Sequence, residues 1–273
     1  MQIQNKTFVV TGGGNGIGRE LVLLLLEKGA RVAAVDINEA ALQKTVELAG
    51  ERAGKMSTHT LDITDREAVD ALPEQVIGQH GAVDGLINGA GIIQPFVRVR
   101  ELDYAAIERV MNVNFYGTLY MTKAFLPYLL ERPEAHIINI SSMGGFLPVP
   151  GQTVYGASKA AVKLFTEGLR SELLNTRVKV TAVYPGAIAT DIAANSGVGP
   201  SMQQAQANGH ANGRSIKPLH PRKAAEIIVK GIEQDRYRVL VGSDARLMDL
   251  IYRLSPRRAA EFIFSQMKTL LPN

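Results

Sequence analysis

Short apolar runs recur along the chain and alternate with longer stretches of helical periodicity. Phe8-Val9-Val10, Val32 to Val35, Thr60-Leu61, Val83 to Asn88, His136 to Ile140, Val178 to Tyr184 and Arg238 to Val241 read as seven strands. Helix-length segments separate them. One, Arg19 to Lys28, contains the run Leu21 to Leu26, which suits a buried helix face and is far too short to span a bilayer. Near-continuous apolar strands joined by helices predict an α/β fold, a doubly wound, seven-stranded parallel sheet with helices on both faces. Ligands of such sheets bind at the carboxyl ends of the strands. No repeat or heptad run appears, and the one compositional break, 195–214, is rich in Ala, Gly, Asn, Gln and Ser. It reads as a mobile loop.

Composition narrows the class. At 273 residues and 46% hydrophobic content the chain can bury a large core, and one domain over 1–273 is the expectation. The net charge of +4 comes from scattered basic residues, which argues against nucleic-acid binding. The absence of cysteine excludes disulfides, thiolate metal sites and a cysteine nucleophile, and the five histidines show no metal-ligand spacing, so no metal is expected. The start Met1 to Lys6 lacks the apolar stretch of a signal peptide, and a cytoplasmic protein is expected.

Candidate chemistry clusters at predicted strand ends. The first strand runs into Thr11-Gly12-Gly13-Gly14-Asn15-Gly16-Ile17-Gly18, where glycines permit a tight turn and bring backbone amides close to a pyrophosphate at a helix N-terminus. The spacing departs from Gly-x-Gly-x-x-Gly, and a glycine-rich loop without a ligand is the plainer alternative. Asp36 ends the second strand. Its carboxylate can accept bonds from both adenosine ribose hydroxyls and would repel a 2′-phosphate, while Asn15 and Ile37 supply no cation, so NAD is favoured over NADP. Asp36 as a cap for the next helix is the alternative. Tyr155 and Lys159 lie four apart, so a helix puts a phenol and an ammonium on one face, and Ser142 precedes them by thirteen residues.

In order and spacing, Thr11-Gly12-x-x-x-Gly16-x-Gly18, Asp62, Asn88-Gly89-Ala90-Gly91, Asn114, Ser142, Tyr155-x-x-x-Lys159 and Pro185-Gly186 resemble the short-chain dehydrogenase/reductase family over nearly the whole chain. One departure is visible: the family usually shows Asn-Asn-Ala-Gly where this chain has Asn88-Gly89-Ala90-Gly91. The resemblance implies a Rossmann domain and a tetrad of Asn114, Ser142, Tyr155 and Lys159. Tyr155 would be the general acid/base, Lys159 would lower its pKa and hold the nicotinamide ribose, Ser142 would bind the substrate oxygen, and Asn114 would position a water beside Lys159. The implied cofactor contacts are Gly12, Asn15, Gly16, Ile17, Gly18, Asp36, Asp62, Ile63, Asn88, Ala90, Gly91, Tyr155, Lys159, Pro185, Gly186, Ile188 and Thr190. Taken singly, Ser142 and Asp62 fit helix caps and Asn114 a buried polar residue satisfied by backbone.

The expected activity is NAD-dependent interconversion of an alcohol, secondary and largely apolar, with its ketone. Ile93, Phe96, Met143, Phe146, Leu147 and Val149 lie where the family lines its pocket; ordinary packing is their other reading. The alternative function is a non-catalytic NAD-binding regulatory or scaffold protein. The resemblance also implies a homotetramer or dimer, with Leu119, Phe125, Phe165 and Leu169 as exposed subunit-packing positions. The extension 243–273 is amphipathic, with Leu247, Leu250, Ile251, Leu254, Phe262, Ile263, Met267 and Leu270 against Arg246, Arg253, Arg257, Arg258 and Lys268. A lid, a subunit contact and a peripheral membrane contact all remain open for it.

Overall fold

The computed structural model describes residues 1–198, 218–267 and 271. Most of the segment expected as a loop, 199–214, lies outside the described residues. All seven strands run parallel: β1 (Thr7–Thr11), β2 (Arg31–Asp36), β3 (Met56–Thr60), β4 (Gly85–Asn88), β5 (Ala135–Ile140), β6 (Val178–Pro185) and β7 (Arg238–Val241), ordered β3-β2-β1-β4-β5-β6-β7. The chain winds outward from β1 to β3, then returns to lay β4 on the other side of β1. That reversal opens a crevice at the carboxyl ends of β1 and β4.

The third strand corrects the expected Thr60-Leu61. It begins at Met56, in register with Val32, and its residues Met-Ser-Thr-His-Thr are mostly half-buried. At this edge of the sheet Ser57 and Thr58 stay half-buried, so the strand carries no continuous apolar run.

Alternation along β1 feeds two cores. Phe8 and Val10 face α1 (Gly16–Glu27) and α8 (Pro221–Glu233), where Leu21, Leu25, Ile228 and Ile232 are buried. Val9 faces the opposite layer, with Leu72 of α3 (Arg66–His80), Met121 and Phe125 of α5 (Thr118–Leu130) and Leu169 of α6 (Thr153–Glu172). Phe125 and Leu169, expected on a subunit surface, are thus internal: they are 0% and 6% exposed. Leu119 and Phe165 are half-buried.

Asn114, expected on a long helix, sits in a π-helical stretch, Asn112–Gly117, between α4 (Tyr104–Met111) and α5. Gly117 closes this stretch directly against Ile63, whose Cδ1 would lie 2.5 Å from an added Cβ. Wide turns of this kind often mark functional positions.

The C-terminal extension folds back as a helical hairpin, α9 (Ser243–Leu254) and α10 (Pro256–Met267). Met248, Ala259 and Ile263 bury against Leu147, with Phe146, Ile251 and Tyr252 around them. Leu247, Leu250 and Leu254 remain on the exposed side. Among the described residues no helix is long and apolar enough to cross a membrane, and no group of three or more His, Asp or Glu side chains could hold a metal ion. His136 is a buried core residue: Thr181 donates its hydroxyl to Arg236 O at 2.6 Å, so the 2.8 Å contact is a bond from His136 Nε2–H to Thr181 Oγ1. Burial holds this imidazole down to about 3, hence neutral.

Candidate active site

The turn after β1 is built by its glycines. Gly12 and Gly16 adopt φ of +73° and +51°, a region costly for residues with a Cβ. Gly18 opens α1 so close to the turn that an added Cβ would lie 2.0 Å from Gly12 O. Asn15 precedes the helix with extended backbone and makes no side-chain cap bond, and Ile17 packs toward the first core. Thr11 Oγ1 accepts from Gly89 N at 3.0 Å and Ala90 N at 3.1 Å, which draws the β4 loop against the turn. The unusual Gly89 suits that approach, because a Cβ there would lie 2.8 Å from Thr11 O. Support of β4 comes instead from Asn88, whose Nδ2 donates to Thr122 Oγ1 and Asn139 Oδ1. The Asn88 side chain is therefore engaged in the protein interior.

Asp36 accepts from Gly14 N at 2.9 Å and from Asn38 N at 3.0 Å. Asn38, not Asp36, caps α2 (Glu39–Ala49), accepting from Ala41 N. Two N–H bonds use about half of a carboxylate's four lone-pair sites, which leaves acceptor capacity for hydroxyls. The neighbouring cation, Arg19, donates to Thr45 Oγ1 and Ala41 O. Asp62 accepts from Thr64 N and Oγ1, and the cap of α3 is Asp65, so the helix-cap reading of Asp62 is corrected.

Across the crevice, Pro185 ends β6 and Gly186 N donates to Val241 O. Ile188 forms an isolated bridge with Leu219. Thr190, just before α7 (Ile192–Asn195), lies beside the glycine turn: its Cγ2 would be 3.2 Å from a Cβ on Gly16. Asp244, unremarked in the sequence, shapes this wall. Its Oδ2 accepts from Ala187 N at 2.6 Å, and a Cβ on Gly186 or Gly242 would strike its carboxylate.

The four remaining residues meet between β5, the π-helical stretch and the start of α6. Ser142 Oγ accepts from Gly144 N at 3.0 Å, so it does cap the short turn Met143–Gly145. A Cβ on Gly144 would lie 3.4 Å from that oxygen and 3.6 Å from Tyr155 Cε1, so the two side chains flank one glycine. Lys159 Nζ donates to Ile140 O at 3.1 Å and stands 6.0 Å from the Tyr155 ring centre. Asn114 Oδ1 accepts from Ile92 N, and its Nδ2 donates to Ile92 O and Ser158 Oγ. A Cβ on Gly91 would lie 3.0 Å from Lys159 Nζ and 3.2 Å from Asn114 Oδ1, which puts the amine and the amide on one side of that glycine. Burial pushes the Tyr155 phenol up from its usual value, against a hydrogen bond to Ser142 that pulls it down. Burial also pulls the Lys159 ammonium down to about 8.

A strand-turn-helix with left-handed glycines stands beside half-buried Ser142 and Tyr155 and buried Lys159, and the short chain dehydrogenase family model matches residues 6–199. The chain belongs to the short-chain dehydrogenase family. A Mycobacterium tuberculosis protein named as an oxidoreductase, SadH, is 40% identical over 253 residues, covering 92% of this chain and 91% of its own. A family member from Burkholderia phymatum, solved in complex with NAD, superposes with a TM-score of 0.82 at 25% identity, covering 93% of this chain and 96% of that one. One from Burkholderia cenocepacia, solved with NADP, gives 0.79 at 27% identity, with coverage of 96% and 99%. The short-chain dehydrogenase fold and an oxidoreductase activity with a nicotinamide cofactor follow.

Several residues of the site carried no sequence signal of their own. Gln94 and Asp244 reach it from segments without a motif, and Ser158, inside the Tyr155-x-x-x-Lys159 motif, is one of its unspecified positions.

Proposed function

We propose that this short-chain dehydrogenase interconverts a secondary, largely apolar alcohol and its ketone, with NAD(H) as cofactor. The observation that carries the reading is the meeting of Ser142, Tyr155 and Lys159 at the carboxyl end of β5, beside the crevice bounded by Gly12, Gly16 and Thr190. Bound NAD(H) would supply the hydride acceptor or donor. Tyr155 would move the hydroxyl proton at its Oη, and Ser142 would donate to the substrate oxygen. Lys159 would stabilise the phenolate and hold the nicotinamide ribose. Asn114 spends both amide hydrogens on Ile92 O and Ser158 Oγ and one Oδ1 lone pair on Ile92 N, so its part would be to fix the loop beside Lys159, with the second Oδ1 lone pair left to accept from a water. Ile93, Phe96 and Met143 would offer an apolar surround. A panel of alcohols and ketones, followed by nicotinamide absorbance, tests the reading. Tight NAD binding with no turnover of any panel member would sink it in favour of a non-catalytic protein.

The cofactor preference rests on Asp36. With Arg19 engaged on α2, this carboxylate stands where a 2′-phosphate would need a cation. NAD(H) should bind at least about tenfold more tightly than NADP(H), equivalent to about 1.4 kcal/mol. Asp36→Ala combined with Ile37→Arg should relax or reverse the ratio. Calorimetric titration decides it, and equal or tighter NADPH binding to the wild type would refute the assignment.

A homo-oligomer, a tetramer first, is proposed from the outward apolar residues Tyr116, Leu130 and Leu164 flanking or on α5 and α6, of which Leu164 is 69% exposed. Light scattering at micromolar concentration should return a multiple of 29.5 kDa. A monomer mass would overturn this assembly.

A further inference from the structure

The first turn of α6, which carries Tyr155, is not capped by its own chain neighbours. The preceding residue, Gln152, makes no side-chain cap bond, although the second and third N–H groups of a helix ordinarily find their acceptor there. The acceptor arrives from the loop after β4 instead. Gln94, wholly buried, places Oε1 2.8 Å from Val154 N and 2.9 Å from Tyr155 N. Its Nε2 donates to Gly151 O at 3.1 Å, and Gln152 Nε2 donates back to Gln94 O at 2.8 Å. One carboxamide thus accepts from the helix start and donates to the turn before it.

The segment that delivers Gln94 is itself anchored. Ile92 is bonded through both N and O to the Asn114 side chain, and Ile93 N donates to Ser196 Oγ at 3.0 Å. Three consecutive residues therefore link Asn114, the end of α7 and the amide of Tyr155. Resting on Tyr155 as acid/base, we infer that Gln94 is a positioning residue for the proton transfer. First turns fray, and a phenol carried on one needs a fixed backbone to keep its distance to Ser142 and Lys159. A misplacement of about 1 Å can cost about 100-fold in rate. Gln94 supplies the restraint at the amide of Tyr155 itself. A packing role alone would be served equally by an apolar side chain of the same volume.

Gln94→Met keeps roughly the volume and loses both polar functions, whereas Gln94→Glu keeps acceptor oxygens for Val154 and Tyr155, at a helix start that suits a carboxylate, and gives up the bond to Gly151 O. With an alcohol identified by the panel, Gln94→Met should lower kcat by about 100-fold while the NAD dissociation constant stays within about twofold, and Gln94→Glu should restore most of kcat. A second arm needs no substrate. NMR of isotope-labelled tyrosine, with the Tyr155 signal assigned by its loss in Tyr155→Phe, should show the phenol titrating at higher pH in Gln94→Met than in wild type, because its bond to Ser142 is loosened. Wild-type kcat with an unshifted titration in Gln94→Met would overturn the inference. So would equal losses in both variants that track a lowered Tm and weakened NAD binding, since those mark packing. If wild type turns over no panel member, the functional reading fails while the titration still decides the role of Gln94.

Discussion

Tyr155→Phe is expected to lower turnover by about two to four orders of magnitude, the scale of a lost general acid/base, while leaving NAD affinity nearly intact. Only the hydroxyl is removed, and the ring that packs beside Gly144 stays in place. Burial raises the phenol, and the Ser142 bond only partly offsets it. In the proposed mechanism a neutral phenol is the competent form for ketone reduction, where it would donate. Alcohol oxidation needs phenolate, so its rate should climb with pH in wild type and lose that dependence in the Phe variant. Steady-state rates in both directions across pH, with NAD titration as control, check this. Wild-type turnover in the Phe variant would remove Tyr155 from the mechanism.

Much of the fold was legible because parallel strands buried on both faces are written as apolar runs, and six of seven stood out that way. The exception, Met56–Thr60, lies at the sheet edge, where half-buried Ser57 and Thr58 carry no such mark. Helical periodicity located α5 and α6 but could not say which neighbour each face meets; Phe125 and Leu169 look alike as core or as subunit contact until Leu129, Ile137 and Val180 are seen around them. The glycine turn, Asp36, Ser142, Tyr155 and Lys159 were readable because each sits at a strand end or at helical spacing. Gln94 was not. Its partners lie about sixty residues along the chain, and a glutamine in an irregular loop announces no bond. The same holds for Asp244, whose partner is the backbone of Ala187.

The C-terminal hairpin shows how an ambiguous amphipathic stretch divides once folded. Met248, Ala259 and Ile263 seal against Leu147, a residue proposed from the resemblance to line the pocket, so Leu147 is largely a packing residue, and the Phe146 ring packs against Tyr184 and Tyr252. Because α9 starts with Asp244 on Ala187, the extension also braces the loop that follows β6. It belongs to the architecture of the crevice wall, whatever its outer leucines meet.

Lys159→Met should abolish most turnover and also weaken NAD binding, because the lysine serves both the phenolate and the nicotinamide ribose in the proposed mechanism. Loss of kcat should match or exceed that of Tyr155→Phe, at about three orders of magnitude. Stability should move the other way. Burial holds the Lys159 pKa at about 8 in the folded protein against its usual 10.5. Between those values the unfolded chain holds a proton that the native state has released, so this lysine adds stability as pH rises through the window, by at most about 1.4 kcal/mol per pH unit. Below about 8 that contribution is gone and the native state carries a buried ammonium bonded to Ile140 O. Methionine has nothing to protonate. Its Tm relative to wild type should therefore be most favourable near pH 7 and decline between pH 8 and 10.5. Parallel Tm curves for the two proteins across that window would place the Lys159 pKa outside it. A residue that lowers stability at neutral pH while its removal abolishes turnover is held by its chemistry, and the pH course of the two Tm curves separates that from a packing role.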